Sequence, residues 1–206
     1  NIEMPPEPKV KTLSDKEPVR LLLIGRDWFA KGGPLAFDTL MALRARGIDA
    51  QLTVIGCVPP DFHVNEWVVV HPSLNKAVPE ELAQFNDALA QAHFLIQPSF
   101  ESYGFAFCEA SAHGLPSLCL RVGGVPIFEG RNGHALPQGS LATDFASVVS
   151  WYLRDVESYE ILSRNARLEF ENRLNWESWG RSVARVLRRE VARKDAADKP
   201  WMQLKG

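Results

Sequence analysis

Cysteine is scarce in this sequence, and its placement argues against two kinds of stabilised domain. The 206 residues include three cysteines, Cys57, Cys108 and Cys119, and no pair of them has the Cys-x-x-Cys spacing. That pattern argues against a disulfide framework and against a cysteine-ligated zinc site. We therefore expect a reducing, cytoplasmic setting.

Excess charge and long apolar runs are also lacking. With 23 Lys+Arg against 25 Asp+Glu, the formal net charge is −2, so no overall field recruits nucleic acid or an anionic membrane surface. No apolar stretch approaches the roughly 20 residues that span a bilayer, and the N-terminus has no signal-peptide pattern. We expect no nucleic-acid partner and no transmembrane segment, and any anionic ligand must be held by local groups.

What the chain does contain is a regular alternation of short apolar runs and amphipathic stretches. Strands are predicted at 19–25, 51–56, 67–72, 93–98 and 116–120, and helices at 32–47, 79–92, 104–113, 142–156, 157–171 and 176–194. Such alternation forms parallel βαβ crossovers. The sequence therefore predicts an α/β fold, a doubly wound, Rossmann-like parallel sheet with extra C-terminal helices.

Three parts are predicted along the chain. Residues 1–18 are proline-rich and are expected to be an extended linker. Residues 19–194 form the domain, and the polar residues 195–206 form a flexible tail. No strand is predicted between 121 and 139, where RNGH (131–134) is typical of a tight turn.

The loop after the first strand is GRDWFAKGG (25–33), which carries Arg26 and Lys31 just before a helix. In an open parallel sheet, ligands bind outside the carboxyl ends of the strands. Two cations beside a helix N-terminus favour an anion, because the unpaired N–H groups and the helix dipole add to the side-chain charge. The glycine spacing fits neither the dinucleotide fingerprint nor the P-loop. Ordinary surface charges are the alternative for this pair.

A second loop and helix follow in PSFESYGFAFCEASAHG (98–114). Ser102 and Gly104 precede the helix, Glu101 lies in the loop, and Glu109 lies more than a turn into the helix. A carboxylate only accepts hydrogen bonds, so it suits the vicinal hydroxyls of a ribose or a hexose. Capping or ion pairing is the alternative for Glu109.

A third loop carries Gly123 and Gly124 directly after a strand. Two glycines there permit a ligand to approach the backbone closely. A turn is a sufficient explanation for Asn132 and Gly133.

Together these ordered motifs resemble the C-terminal, donor-binding domain of a retaining glycosyltransferase with the GT-B fold, in family 4 (group 1). GRDWFAKGG resembles the G-R-x4-K-G loop of that family, PSFESYGFAFCEASAHGLP its E-x7-E motif, and VGGVP with NGHALP its Gly-Gly loop and turn. One such motif is weak, but three in order at the strand ends are specific. The resemblance covers about residues 19–180.

The resemblance implies a role for each loop. Arg26 and Lys31 would hold the donor diphosphate, Glu101 would lie near the transferred sugar, and Glu109 would accept from the ribose. Further substrate-binding positions are expected near the phosphate or sugar: Ser102, Tyr103, Gly104, Phe105, Gly123 and Gly124. The donor substrate would be a nucleotide-diphosphate sugar, with no further cofactor.

The resemblance also has limits. Pro126 is followed by Ile127 where the family often has glutamate, a departure that implies a different donor geometry. The N-terminal acceptor-binding domain is absent from these residues, so we expect donor binding without turnover. Transfer with retention would proceed on the front face, without a protein nucleophile. The sequence has no Asp-x-Asp, which favours a cation-and-helix site over a metal ion.

Two other functions stay open. A non-catalytic nucleotide-sugar-binding or interaction module would share the fold, and so would a GT-B-fold epimerase. Four histidines, His71, His93, His113 and His134, match no metal-ligand spacing, so structural or surface roles are expected. Three tryptophans, Trp151, Trp176 and Trp179, are expected to serve packing.

Overall fold

The computed structural model describes residue 5 and residues 8–197, which form a six-stranded parallel sheet flanked by helices. The strands are β1 (Val19–Ile24), β2 (Ala50–Ile55), β3 (Val68–His71), β4 (Phe94–Gln97), β5 (Ser117–Leu120) and β6 (Gly133–Leu136). The helices are α1 (Gly33–Ala45), α2 (Pro79–Gln91), α3 (Phe105–Ala112), α4 (Ala142–Arg154), α5 (Val156–Glu169) and α6 (Trp176–Ala197). The sheet order is β3-β2-β1-β4-β5-β6, which confirms the predicted doubly wound, Rossmann-like fold.

The central strand β1 shows why a continuous apolar run forms a strand in this chain. Leu21, Leu22 and Leu23 are all fully buried, because successive side chains point to opposite faces and helices cover both. Leu21 and Leu23 share a core cluster with Leu40 of α1, whereas Leu22 packs in the cluster of Phe85 from α2. Full burial of each leucine contributes roughly 1.5–3 kcal/mol.

The edge strand β6 corrects the sequence analysis, which placed no strand between residues 121 and 139. A turn does end at Asn132, whose side chain accepts from the Phe128 amide at 2.8 Å and donates to the Pro126 carbonyl at 3.1 Å. The strand then begins at Gly133, where a Cβ would lie only 1.9 Å from the Ser117 carbonyl oxygen. Four residues that start with glycine are too short to show a strand period.

The segment before β1 has no regular secondary structure, but part of it is packed on the domain. Leu13 is 4% exposed and Lys11 is 8% exposed. The Lys11 ammonium donates to the Leu89 carbonyl at 2.9 Å, near the end of α2. The predicted linker therefore contributes to the core, while residues 1–4, 6 and 7 lie outside the described residues.

The predicted C-terminal helices are present as α4, α5 and α6. Asp155 begins α5 by accepting from the Ser158 amide at 3.1 Å, and a π-helical turn (Phe170–Leu174) joins α5 to α6. Of the predicted tail, residues 198–206 lie outside the described residues. In the part of the chain that the structure describes, no helix combines the length and apolarity needed to cross a membrane.

The three tryptophans pack only in part. Trp151, Trp176 and Trp179 are 47%, 50% and 58% exposed, and the ring of each contacts another aromatic ring. Trp176 and Trp179 contact each other edge to face, with ring centroids 5.7 Å apart. They lie at the start of the largely exposed helix α6 and form an aromatic surface there.

All three cysteines are buried and unpaired. Burial raises the pKa of the Cys57 and Cys108 thiols. Burial, assisted by the Glu129 charge, raises the pKa of Cys119 to about 12. None of the three has the low pKa of a reactive thiol.

Candidate functional site

The direction in which successive strands are added to the sheet reverses between β1 and β4. From β1 the strand order runs outward through β2 to β3, and from β4 it runs the other way through β5 to β6. Ligands of open α/β sheets bind at such a switch point, beyond the carboxyl ends of the strands. The loops after β1 and β4, residues 25–32 and 98–104, therefore define the candidate site.

Glycines fix the loop after β1 against the end of β4. A Cβ on Gly25 would lie 2.2 Å from Lys31 Cγ, so the stem of Lys31 crosses directly over Gly25. Gly32 has φ 74°, and a Cβ there would lie 2.4 Å from the Pro98 carbonyl oxygen. The GRDWFAKGG loop thus needs glycine at these two positions to bring Lys31 to the β4 loop.

Lys31 and Glu101 form an ion pair between the two loops. Glu101 Oε1 also accepts from Ser99 Oγ at 3.1 Å and from Gln97 Nε2 at 3.5 Å. Burial alone would raise the pKa of Glu101, but the hydrogen bond and charge of Lys31 outweigh it and hold the pKa below its ordinary value. The structure places Arg26 exposed in the same loop, outside this contact.

Gln97 is a site residue that the sequence analysis missed. It ends β4, is 2% exposed, and lies under Glu101. Its Oε1 has no hydrogen-bond partner among the described residues. A glutamine in the otherwise apolar strand FLIQ was the available signal.

Glu109 forms a second ion pair, with Lys76 from the loop after β3. The Glu109 side chain is 18% exposed and that of Lys76 is 45% exposed. The ion-pair alternative considered for Glu109 is therefore present in this structure. Lys76 was not singled out from the sequence.

The Gly-Gly loop packs on the backbone of the E-x7-E loop. Gly124 N donates to the Ser102 carbonyl at 3.0 Å. Gly123 has φ 50°, and a Cβ there would lie 2.4 Å from the Glu101 carbonyl oxygen. These glycines admit close approach by protein backbone, and approach by a ligand stays a prediction.

The start of α3 exposes the remaining predicted residues. Gly104 precedes the first residue of the helix with φ 83°, and no side chain of a described residue caps the helix. Ser102 is exposed, and Tyr103 and Phe105 are 41% and 58% exposed. The Tyr103 and Phe105 ring centroids are 6.1 Å apart, and Phe105 lies 5.9 Å from the Trp176 ring. An aromatic surface therefore adjoins the candidate site.

His93, His113 and His134 lie outside the switch-point loops, whereas His71 ends β3 at the same edge of the sheet and His63 Nδ1 accepts from Trp28 Nε1 of the first loop at 3.1 Å. His93 Nδ1 accepts from the Arg20 amide at 2.9 Å, and burial lowers the pKa of His93 and of His113 to about 4. His134 Nε2 lies 2.7 Å from the Tyr152 hydroxyl. Within residues 8–197, no three potential metal-ligating side chains cluster.

A pocket of about 360 Å³ lies between the ends of β5 and β6. Gly123 belongs both to its wall and to the Gly-Gly loop. Its polar lining includes Arg121, Glu129 and Gln138, but Arg121 donates to Ala135 O at 3.1 Å and Gln138 to Arg121 O at 3.4 Å. These polar groups bond within the protein, so the switch-point loops make the better candidate site.

Known proteins share both the sequence pattern and the architecture. The family model described as Glycosyl transferases group 1 matches residues 13–155. This chain belongs to the group 1 glycosyltransferases. The D-inositol 3-phosphate glycosyltransferase of Arthrobacter sp. (strain FB24) is 31% identical to this glycosyltransferase over an alignment of 183 residues, which covers 81% of this chain and 41% of the relative. The chain thus spans less than half of that relative.

Solved structures share the fold of this glycosyltransferase. The Anabaena protein HepE in complex with UDP-glucose has a TM-score of 0.65 at 15% identity, over 82% of this chain and 48% of its own. The C-terminal domain of the group 1 family protein LpcC from Francisella tularensis has a TM-score of 0.62 at 17% identity, over 78% and 89% of the two chains. At such identities the likeness concerns the fold alone, which is that of one half of a GT-B enzyme.

Proposed function

We propose that this glycosyltransferase chain is the donor-binding half of an enzyme that transfers a sugar from a nucleotide-diphosphate sugar with retention of configuration. The observation that carries the proposal is the Lys31–Glu101 ion pair at the switch point. A nucleotide sugar carries groups complementary to both members of the pair, an anionic diphosphate for the cation and hydroxyls for the carboxylate. The UDP-glucose bound to HepE supports this ligand class.

Arg26, Lys31 and two helix N-termini would hold the diphosphate. Helices α1 and α3 begin at glycine caps, Gly32 and Gly104, without a capping side chain from any described residue. Their first amides are therefore oriented to accept an anion. Charge develops on the departing nucleotide diphosphate during transfer, so these groups would supply the electrostatic stabilisation, at about 3 kcal/mol for each donor group.

The two carboxylates would bind the two ends of the donor. Glu101 would accept from the transferred sugar and Glu109 from the ribose. The backbone of Tyr103, Phe105 and Gly124 would approach the phosphate or sugar, together with the other predicted residues of these loops. The alignment of three loops at the β1/β4 edge supports this assignment.

Several finer features belong to the same proposal. Retention would follow from front-face transfer through a loose, oxocarbenium-like transition state without a protein nucleophile. Binding would need neither a metal ion nor another cofactor, and the location would be cytoplasmic. The acceptor would bind in a second half of the protein, because this chain covers only 41% of its relative.

A nucleotide panel tests the proposal. We expect UDP, GDP or ADP to raise the melting temperature of the chain, since a ligand at a hundredfold excess over its Kd adds about 2.7 kcal/mol. Lys31→Met should abolish most of the shift, and EDTA should not change it. A flat panel across all three nucleotides would contradict donor binding, and loss of the shift with EDTA would contradict metal independence.

A further inference from the structure

Glu109 is held by a lysine from a distant part of the chain. Lys76 lies 33 residues earlier in the sequence, in the loop after β3, and its ammonium contacts Glu109 Oε1. Glu109 is the more buried partner, at 18% side-chain exposure against 45%. The carboxylate therefore lies beneath Lys76, whose ammonium contacts it from the solvent side.

Lys76 is itself held in place by α2. Its Nζ lies 3.8 Å from the centroid of the Phe85 ring, and Phe85 is only 4% exposed. The loop backbone is attached to the same helix, because the Asn75 amide donates to Glu81 Oε2. Asn75 Oδ1 in turn accepts from the Ala77 amide at 3.0 Å. The ammonium of Lys76 is thus held by Glu109 and Phe85, and the backbone before it is held by the contact of Asn75.

One oxygen of Glu109 stays available. The contact with Lys76 uses Oε1, and no described residue donates to Oε2. Each carboxylate oxygen accepts through two lone pairs, so a fixed carboxylate can receive two vicinal hydroxyls while keeping the lysine. Fixing the side chain beforehand also lowers the entropy lost on binding.

We infer that Lys76 is a positioning residue that orients the Glu109 carboxylate toward ribose hydroxyls and so sets a preference for ribonucleotides over 2′-deoxyribonucleotides. The inference rests on the proposed function. Lys76 acts through Glu109 and touches none of the reacting atoms.

Paired titration calorimetry tests the inference. UDP, GDP and ADP are each compared with their 2′-deoxy counterparts on the wild-type chain, Lys76→Met and Lys76→Arg. We expect the wild type to bind the ribonucleotide about tenfold more tightly, the value of one hydrogen bond to a charged group. Lys76→Met should lower that ratio to about twofold, while Lys76→Arg and the control Lys16→Met should keep it near the wild-type value.

The outcomes separate the two claims. If the wild type binds none of the nucleotides, the proposed function fails. Lys76→Met could instead weaken the binding of ribonucleotides and 2′-deoxyribonucleotides by the same factor and leave their affinity ratio unchanged. Lys76 would then contribute only charge, and the inference would be overturned while donor binding stands. The inference is also overturned if the wild type binds ribonucleotides and 2′-deoxyribonucleotides equally tightly. Lys76→Gln repeats the test should Lys76→Met fold poorly by circular dichroism.

Discussion

At the scale of single residues, folding changes the protonation of Lys11 strongly. Burial lowers its pKa from 10.5 to about 7, while its ammonium donates to the Leu89 carbonyl. Between these two values the unfolded chain binds more protons than the folded chain, so stability rises with pH through this window. Below about pH 7 both states bind the proton, so the folded chain bears the full cost of burying the ammonium.

Lys11→Met should remove this pH dependence. Between about pH 6 and about pH 10, we expect the unfolding free energy of the wild type to increase, relative to that of the variant, by on the order of a few kcal/mol. Urea titrations at the two pH values measure the difference. The exposed Lys16→Met is the control, and a Lys11→Met difference that is independent of pH would contradict the assignment.

Residue types in the loops were predictable, but their pairings were only partly so. Lys31 and Glu101 were expected at one site because both follow strands that meet at one sheet edge, and they are in contact. Lys76 was missed because its contact with Glu109 spans 33 residues and no local pattern marks it. Gln97 was missed because a single polar residue in a buried strand has no periodic signature.

At the scale of elements, the buried strands were predictable because they are apolar on both faces, and β6 was not. The Gly-Gly loop illustrates another limit. Its glycines indicated close backbone approach, yet sequence alone did not say that the approaching backbone is that of Glu101 and Ser102. Contacts between loops depend on the sheet order, which local patterns do not determine.

Gly123→Ala should therefore displace the loop that carries Glu101. The new Cβ would lie 2.4 Å from the Glu101 carbonyl oxygen at φ 50°, and such strain costs about 1–3 kcal/mol. We expect lower stability by urea denaturation and weaker nucleotide binding by calorimetry.

Gly130→Ala is the matched control, since Gly130 has φ 68° and a Cβ there would meet nothing within 4 Å. It should cost about 1–2 kcal/mol from backbone strain and leave nucleotide affinity unchanged. Equal effects of the two variants on affinity would show that the loop contact has no part in binding.

At the scale of the whole molecule, α6 carries an apolar face that the described residues do not cover. Trp179, Val186, Leu187 and Val191 are 58–61% exposed, and their spacing places them on one side of the helix. Arg185 lies on the opposite side. Soluble domains rarely expose contiguous apolar surface of this kind.

We expect the isolated chain to self-associate as its concentration rises, because contact between the apolar faces of two copies removes apolar surface from water. Leu187→Glu should keep the chain monomeric in sedimentation velocity. Arg185→Glu places the same carboxylate on the polar side and should leave association intact. Monomers at every concentration in the wild type would refute the expectation.

The molecule is suited to site-specific labelling because its native thiols are buried. With all three native cysteines buried and their pKa values raised, a maleimide reagent would react with them slowly. A single cysteine introduced at the exposed Ser73 would then be the fast-reacting group. A fluorophore attached there would report directly on movement of the β3–α2 loop, with no need to replace a native cysteine.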